Sequence, residues 1–322
     1  MTHKIILDTD PGIDDAMAIL FAEAHPAIDL LAITTVFGNA TIENGTRNAL
    51  WLKQKYGMKA EVAQGAAAPL LREPVGPTTV VHGPSGLGDV EAGEVTLTPD
   101  PRPAWQYIVE TLKANPGEIT LVTIGPLTNL ALALEAAPEI TALVKQVVVM
   151  GGAFGVNGHR GNVTPYAEAN IHDDPEAADR VFTAPWPVVI IGLDVTQQSF
   201  FSSGYLDALR DEAGEPGRFL WEVSRFYLRF YSERIGLDGC HVHDPSAIAY
   251  VIDPTLFTLR KGPVRVINSG PAIGHTLQKF DDKSHPHDGW ADYRAQHVGV
   301  AVRDQALLAL YRDTLVAWGK DC

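Results

Sequence analysis

Four carboxylates fall within eight positions in the run Asp8-Thr9-Asp10-Pro11-Gly12-Ile13-Asp14-Asp15, directly after the apolar residues 5–7. Like charges packed this closely repel by about 1 kcal/mol per pair even in water-like surroundings, and by more when partly buried. Something positive must offset that repulsion, and a hard divalent cation is the simplest candidate. With no His/Cys pattern alongside, oxygen donors favour Ca²⁺ or Mg²⁺ over Zn²⁺. Pro11-Gly12 turns the chain, after which Asp14 and Asp15 can open a helix, where carboxylates also suit the dipole. Simple capping by Asp14, with Asp8 and Asp10 solvated in a turn, leaves the density of acid unexplained, so the metal reading is favoured.

A second acidic element supports it. Cys240-His241-Val242-His243-Asp244-Pro245 precedes an apolar helical run over 246–250. Asp244 can serve as an N-cap with Pro245 at the first helical position, but the two histidines beside it are less easily explained by capping. His243 and Asp244 place a proton donor next to a metal ligand. Between residues 162 and 170, Asn162, Glu168 and Asn170 space two amides and a carboxylate through a loop, with His172 and Asp173 just beyond. Such a row offers the donors and acceptors that a polyhydroxylated ligand needs. Ile124-Gly125-Pro126-Leu127-Thr128-Asn129 ends another apolar run at a Gly-Pro turn, whose carbonyls can face the same cleft.

These residues need a frame that brings them together. Short apolar runs over 5–7, 30–35, 119–124, 146–150 and 187–193 read as strands covered on both faces. Helical patterns lie between them over 14–24, 43–56, 102–114, 127–136 and 175–182. The alternation predicts a single α/β domain over residues 1–322 with an open, doubly wound, mostly parallel sheet. Ligands of such sheets gather beyond the carboxyl ends of the strands, where Asp8 to Asp15 and Ile124 fall. Residues 69–99 and 151–175 read as long loops over one sheet edge. The stretch from Gln278 to Arg294 is rich in Asp, His, Lys and Trp, with no role legible in it. No composition shift, internal repeat or low-complexity tract divides the chain.

Composition excludes several classes. At 46% hydrophobic and 20% charged over 322 residues, the chain can bury a sizeable core, which rules out a disordered or fibrous protein. A formal charge of −14 repels a phosphate backbone and an anionic membrane surface, so neither nucleic acid nor membrane is an expected partner. Cys240 and Cys322 are too few for a disulfide framework. No apolar run reaches the roughly 18 to 20 residues that span a bilayer. The residues before Asp8 carry no signal-peptide h-region, and the expectation is a cytoplasmic protein.

The run from Asp8 to Ala16 resembles the signature of the inosine-uridine-preferring nucleoside hydrolases. Val36-Phe37-Gly38-Asn39, His82-Gly83, the 124–129 turn, residues 162–170 and His243-Asp244-Pro245 recur in that family's order, so the likeness covers about residues 4 to 255. The resemblance implies hydrolysis of the N-glycosidic bond of ribonucleosides to free base and ribose, with one Ca²⁺ at the bottom of a cleft. Its implied ligands are Asp10, Asp15, the carbonyl of Ile124 and Asp244, with ribose hydroxyls and a water completing a shell that suits Ca²⁺. Asp14, Asn39, Asn162, Glu168, Asn170 and Asp244 would hold the ribose, while Asp8 would be structural. Asp10 would act as general base on the metal's water. The departing base needs a proton or hydrogen bond, which His243 is the first candidate to supply, with His82 and His241 as further contacts. The family also implies a homodimer or homotetramer. Ala169 stands where the family often has an aromatic residue, so less stacking over the substrate is expected. Residues 278–296 have no clear family counterpart. Tyr227, Tyr231 and Arg234 lie on a helix-like stretch and could reach the base, but such spacing serves packing as often.

Two other readings compete. Asp8-Thr9-Asp10 superficially fits a Mg²⁺-dependent phosphohydrolase that uses Asp-x-Asp as nucleophile and acid, although Gly12 stands where that pattern wants Thr or Val. A non-catalytic, Ca²⁺-stabilised nucleoside-binding protein is the third, and the presence of His243 speaks against it.

Overall fold

In the computed structural model, which describes residues 2–320, the run preceding the acidic cluster is strand β1 (His3–Thr9), buried from Ile5 onward. The chain continues through α1 (Ile13–Ala24), β2 (Ile28–Thr35), α2 (Ile42–Tyr56), β3 (Glu61–Gln64) and the single turn α3 (Thr79–His82). It then forms α4 (Ala104–Ala114), β4 (Ile119–Thr123), α5 (Thr128–Ala136), β5 (Gln146–Met150), α6 (Ala169–Asp173), α7 (Pro175–Thr183) and β6 (Val188–Ile191). The later part adds α8 (Leu193–Thr196), β7 (Phe200–Ser202), α9 (Ser203–Glu212), α10 (Gly214–Ile235), β8 (Gly239–His241) and α11 (Asp244–Ile252). Strands β9 (Phe257–Gly262), β10 (Val264–Val266), β11 (Thr276–Gln278) and β12 (Gln296–Val302), followed by α12 (Asp304–Trp318), complete it.

Eight strands form the central sheet in the order β3-β2-β1-β4-β5-β6-β12-β9. All neighbours pair in parallel except β12 with β9. The expected doubly wound, mostly parallel α/β architecture is therefore what the chain adopts. The order reverses between β1 and β4, which opens a crevice at their carboxyl ends. Asp10 follows β1 and Ile124 follows β4, so both stand at that crevice.

Successive β1 side chains feed opposite faces. Ile5 and Leu7 enter a core shared with α1, α10, α11 and α12, through Met17, Leu220, Ile248 and Tyr311. Ile6 enters a second core with α4, α5 and α7, through Ile108, Leu130 and Phe182. Helix α1 is buried along residues 13–22, as expected of a helix that is apolar nearly all round. Its two acids, Asp14 and Asp15, are thereby carried into the interior and not onto a wet surface.

The five expected strands and five expected helices form, with ends moved by one or two residues. Strands β3, β9 and β12 and the long α10 go beyond that expectation. The 69–99 stretch contains the turn of α3, and 151–175 contains α6. Residues 279–295 hold no regular element, and an ion pair of 2.7 Å joins Lys279 to Asp288 across them. Cys240 is buried with a free thiol, and Cys322 lies outside the described residues. No described helix is long and apolar enough to cross a membrane.

Candidate active site

The floor of the crevice is built where β1 turns into α1. Asp15 is held by four donors. Its Oδ1 accepts from the Thr9 hydroxyl (2.5 Å) and the Asp10 N–H (3.2 Å), and its Oδ2 from the Gly12 N–H and Asn39 Nδ2 (both 2.9 Å). Asp10 accepts the Asn39 N–H on Oδ2 at 2.7 Å, while its buried Oδ1 has no hydrogen-bond partner among the described residues. Gly38, at φ 151°, passes so close to the Asp10 carboxylate that a Cβ there would collide with it. Asp14 Oδ1 is likewise buried without a hydrogen bond to any described residue. Across the crevice Asp244 opens α11 with Pro245 in its first turn, and oxygens of Asp14, Asp15 and Asp244 lie within 4.8 Å of one another.

Burial pushes the Asp10 and Asp244 carboxyls well above the usual carboxylate range, and neighbouring acids add to it: Asp15 beside Asp10, Asp14 and Asp15 beside Asp244. Asp14 is raised to about 8, first by burial and then by the charge of Asp15. Carboxyls this displaced either keep their protons or face a cation.

Asp8 points away from this trio. Its Oδ1 accepts from the Thr34 hydroxyl (2.6 Å) and Asn129 Nδ2 (2.8 Å). Those bonds tie β1 to β2 and to the start of α5, the structural place the resemblance implies. An Asp-x-Asp nucleophile would need Asp8 turned into the cleft.

One side of the cleft is lined by amides. Asn170 Nδ2 donates to the Ile124 carbonyl (2.8 Å) and the Met150 carbonyl (3.1 Å), leaving Oδ1 as the acceptor it can offer a ligand. Glu168 caps α6, with Oε1 taking the Asn170 N–H (2.9 Å) and Oε2 the Gly152 (2.9 Å) and Ile171 (3.2 Å) N–H groups. Burial nonetheless raises its carboxyl to about 7. Asn162 Oδ1 accepts the Ala169 N–H at 3.1 Å, which closes the loop that carries all three.

The opposite wall carries the rings. His243 Nδ1 meets the Thr196 hydroxyl at 2.8 Å and its Nε2 the Tyr231 hydroxyl at 3.2 Å. Burial drives its imidazole down to about 3, so it is neutral. His241 packs edge-on against Tyr231, and its buried Nδ1 has no hydrogen-bond partner among the described residues. His82 stands behind Gly12: its Nδ1 accepts the Ile13 N–H at 3.1 Å, and burial lowers it to about 4. A neutral ring whose Nδ1 is already an acceptor makes no ion pair with Asp14 Oδ1, 3.9 Å away.

Floor, amides and rings enclose a cavity of about 360 Å³. Asp14, Asn39, Ile124, Asn162, Glu168, Asn170, His241, His243 and Asp244 line it. Asp10, Asp15 and His82 lie behind that surface. The converging carboxylates include Asp14, expected on the ribose, beside the expected Asp15 and Asp244. Asn39 spends both its backbone and its side-chain N–H groups on Asp10 and Asp15. Met150, Gln197 and Phe230 also line the cavity, and neither they nor Thr196 belongs to a run of chemical residues from which sequence could have found them.

The family model described as inosine-uridine preferring nucleoside hydrolase matches residues 5–309. The chain belongs to that family. This nucleoside hydrolase is 39% identical over 316 residues to a rice (Oryza sativa subsp. japonica) protein named probable uridine nucleosidase 1, covering 98% of this chain and 97% of the relative. It is 40% identical over 276 residues, 85% of this chain and 87% of the relative, to the Escherichia coli pyrimidine-specific ribonucleoside hydrolase RihB. Among solved structures, a plant nucleoside hydrolase, the PpNRh1 enzyme, superposes with a TM-score of 0.95 at 37% identity, covering 98% of this chain and all of that one. Hydrolysis of ribonucleosides is thus the activity class, which sets aside both the phosphohydrolase and the non-catalytic readings.

Proposed function

We propose that this nucleoside hydrolase is Ca²⁺-dependent and cleaves uridine to uracil and ribose, with Asp10 as general base and His243 serving the leaving base. The observation that carries the metal reading is the set of unpartnered, buried oxygens, Asp10 Oδ1 and Asp14 Oδ1, beside the convergence of Asp14, Asp15 and Asp244. An all-oxygen donor set of this charge fits a hard divalent cation. Asp10, Asp15, Asp244 and the Ile124 carbonyl would hold it, with Asp14 alongside. When bound, the ion neutralises the clustered charge and makes the attacking water more acidic. Uridine is favoured as substrate by the names of the rice and E. coli relatives. The family resemblance supports a homodimer or homotetramer.

The protein's own groups then divide the work. Asp14, Asn162, Glu168, Asn170 and Asp244 offer donors and acceptors to the ribose hydroxyls. As the C1′–N bond breaks, its electron pair leaves with the base and positive charge builds on the sugar ring. The acidic floor stabilises that charge more than it stabilises neutral substrate, which lowers the barrier. Asp10 Oδ1 takes the proton of the water whose oxygen bonds to C1′. His243, at the wall of rings, meets the negative charge on the departing base.

Ribose release from uridine and inosine, measured with saturating Ca²⁺ and with chelator, tests this. Release with Ca²⁺ that the chelator abolishes, faster from uridine, is expected. No ribose from either nucleoside would overturn the proposal. Full activity in chelator would remove the metal, and faster inosine cleavage would remove the uridine preference.

A further inference from the structure

Thr196 ends the single turn α8 and is fully buried. Among the described residues its hydroxyl has one partner, His243 Nδ1 at 2.8 Å. On the far side of the ring, Nε2 meets the Tyr231 hydroxyl at 3.2 Å, and that hydroxyl meets Tyr227 at 3.4 Å. Two proton arrangements fit these distances. If His243 Nδ1–H donated to Thr196, the threonine's own buried O–H would have no acceptor. If Thr196 donates to Nδ1, only a hydroxyl lone pair goes unused. An unpaired buried donor is the costlier of the two, so the chain runs from Thr196 O–H to Nδ1, then from Nε2–H to the Tyr231 oxygen. Tyr231 has then accepted its bond, and its own hydrogen, held by Tyr227 only at 3.4 Å, is free to turn into the cavity.

We infer that Thr196 is a positioning residue: it fixes His243 as the Nε2–H tautomer, whose Nε2–H is spent on the Tyr231 oxygen, and so leaves the Tyr231 O–H as the donor aimed at the leaving base. The inference rests on the proposed role of His243. No net proton moves in this arrangement. The C1′–N electron pair departs with the base, the Tyr231 O–H stabilises it by hydrogen bonding, and solvent protonates it after release. Without Thr196 nothing pins Nδ1, so the ring can turn about its side-chain bonds, Nε2–H leaves the Tyr231 oxygen, and the Tyr231 O–H is no longer aimed at the base.

The test compares leaving groups. Uracil needs hydrogen-bond help to depart, whereas the nitrophenolate of 4-nitrophenyl β-ribofuranoside does not. Thr196→Val keeps the shape and removes the donor. It should lower kcat on uridine about 10²-fold, the lower end of what one positioned hydrogen-bond donor contributes, with KM little changed. On the nitrophenyl riboside the loss should stay under about threefold. Thr196→Ser restores the hydroxyl and should recover uridine cleavage. Thr196→Ala, which adds no atoms, is run in parallel so that a packing failure of valine does not decide the outcome. Equal losses on both substrates, no loss on either, or failure of serine to rescue would overturn the role of Thr196. His243→Ala is the control. If it shows the leaving-group selectivity and the Thr196 variants do not, this inference alone fails. If it shows none, the assignment of His243 fails with it.

Discussion

Stripped of divalent cation, the protein should lose stability as pH rises from 7 to 8, and Ca²⁺ should remove that slope. The magnitude comes from the buried titrating groups. Asp14 is raised to about 8, far above the value near 4 of an unfolded chain. Between those values the folded state binds the extra proton, so stability falls as pH rises, by at most about 1.4 kcal/mol per pH unit for each such group. Asp8 and Glu168, each raised to about 7 by burial, act in the same direction up to pH 7. His82 and His243, lowered by burial to about 4 and about 3, oppose them. Neutral when folded and protonated when unfolded, they add stability with rising pH until about 6.5 and nothing beyond it. The two sets therefore offset each other in acid, and the clean window opens at pH 7. There Asp14 alone costs about 1 kcal/mol by pH 8, and Asp10 and Asp244, displaced upward as well, add to that. A bound cation takes over the protons' part, and its uptake at pH 7 should release protons. Urea unfolding followed by tryptophan fluorescence at pH 7 and 8, in chelator and in saturating Ca²⁺, reads the slope from the midpoints. Chelated stability that is flat or rises over this interval, or a slope that Ca²⁺ leaves unchanged, would refute the reasoning.

Further outcomes follow from the same geometry. Asp10→Asn keeps an acceptor for the Asn39 N–H and loses the base, so kcat on uridine should fall about 10² to 10⁴-fold with the fold intact; near-normal turnover in a ribose assay would take Asp10 out of that role. Gly38→Ala forces a Cβ into the Asp10 carboxylate and should cost roughly 10²-fold in kcat, together with weaker Ca²⁺ binding by calorimetry; unaltered kinetics would show that the carboxylate can move freely. 2′-Deoxyuridine leaves the cavity's ribose-binding groups unpaired, so its kcat/KM should fall by at least about 10³-fold relative to uridine; equal rates would contradict the assignment of the floor to the ribose hydroxyls.

The acidic floor was legible because its chemistry is local. Asp10, Asp14 and Asp15 follow one apolar run, and a strand covered on both faces announces itself by unbroken hydrophobicity, as 146–150 did to the residue. β3, with only Val62 and Ala63 buried between exposed ends, is too short to do so. Of the antiparallel pair at the other edge, β9 is polar and partly exposed and gives no such run, and the run in β12 over 298–302 is interrupted by Gly299 and partly exposed. Residues 278–294 read as opaque, and from 279 onward they form a mostly exposed stretch without regular structure, because they contribute little to either core. Within the site, Asn39 also holds the Asp10 and Asp15 carboxylates through its backbone and side-chain N–H groups, a role its motif does not show. The i, i+4 pair Tyr227 and Tyr231 shows only that two rings share a helix face; that the face meets His243 depends on how α10 lies against β8, which leads into His243.

Thr196 was the least legible, since nothing marks a threonine two residues beyond a buried acid as special until a ring is placed 2.8 Å away. Its partner explains why the cavity needs two unlike ends. Positive charge develops on the sugar and negative charge on the base, and they separate along the bond that breaks. Carboxylates answer the first, but a cationic histidine opposite them would be drawn into an ion pair with the floor. Burial keeps His243 neutral, so on the proposed reading the second charge is met by oriented N–H and O–H dipoles. Such donors act without reorganising as the bond breaks, provided something buried decides which way they point.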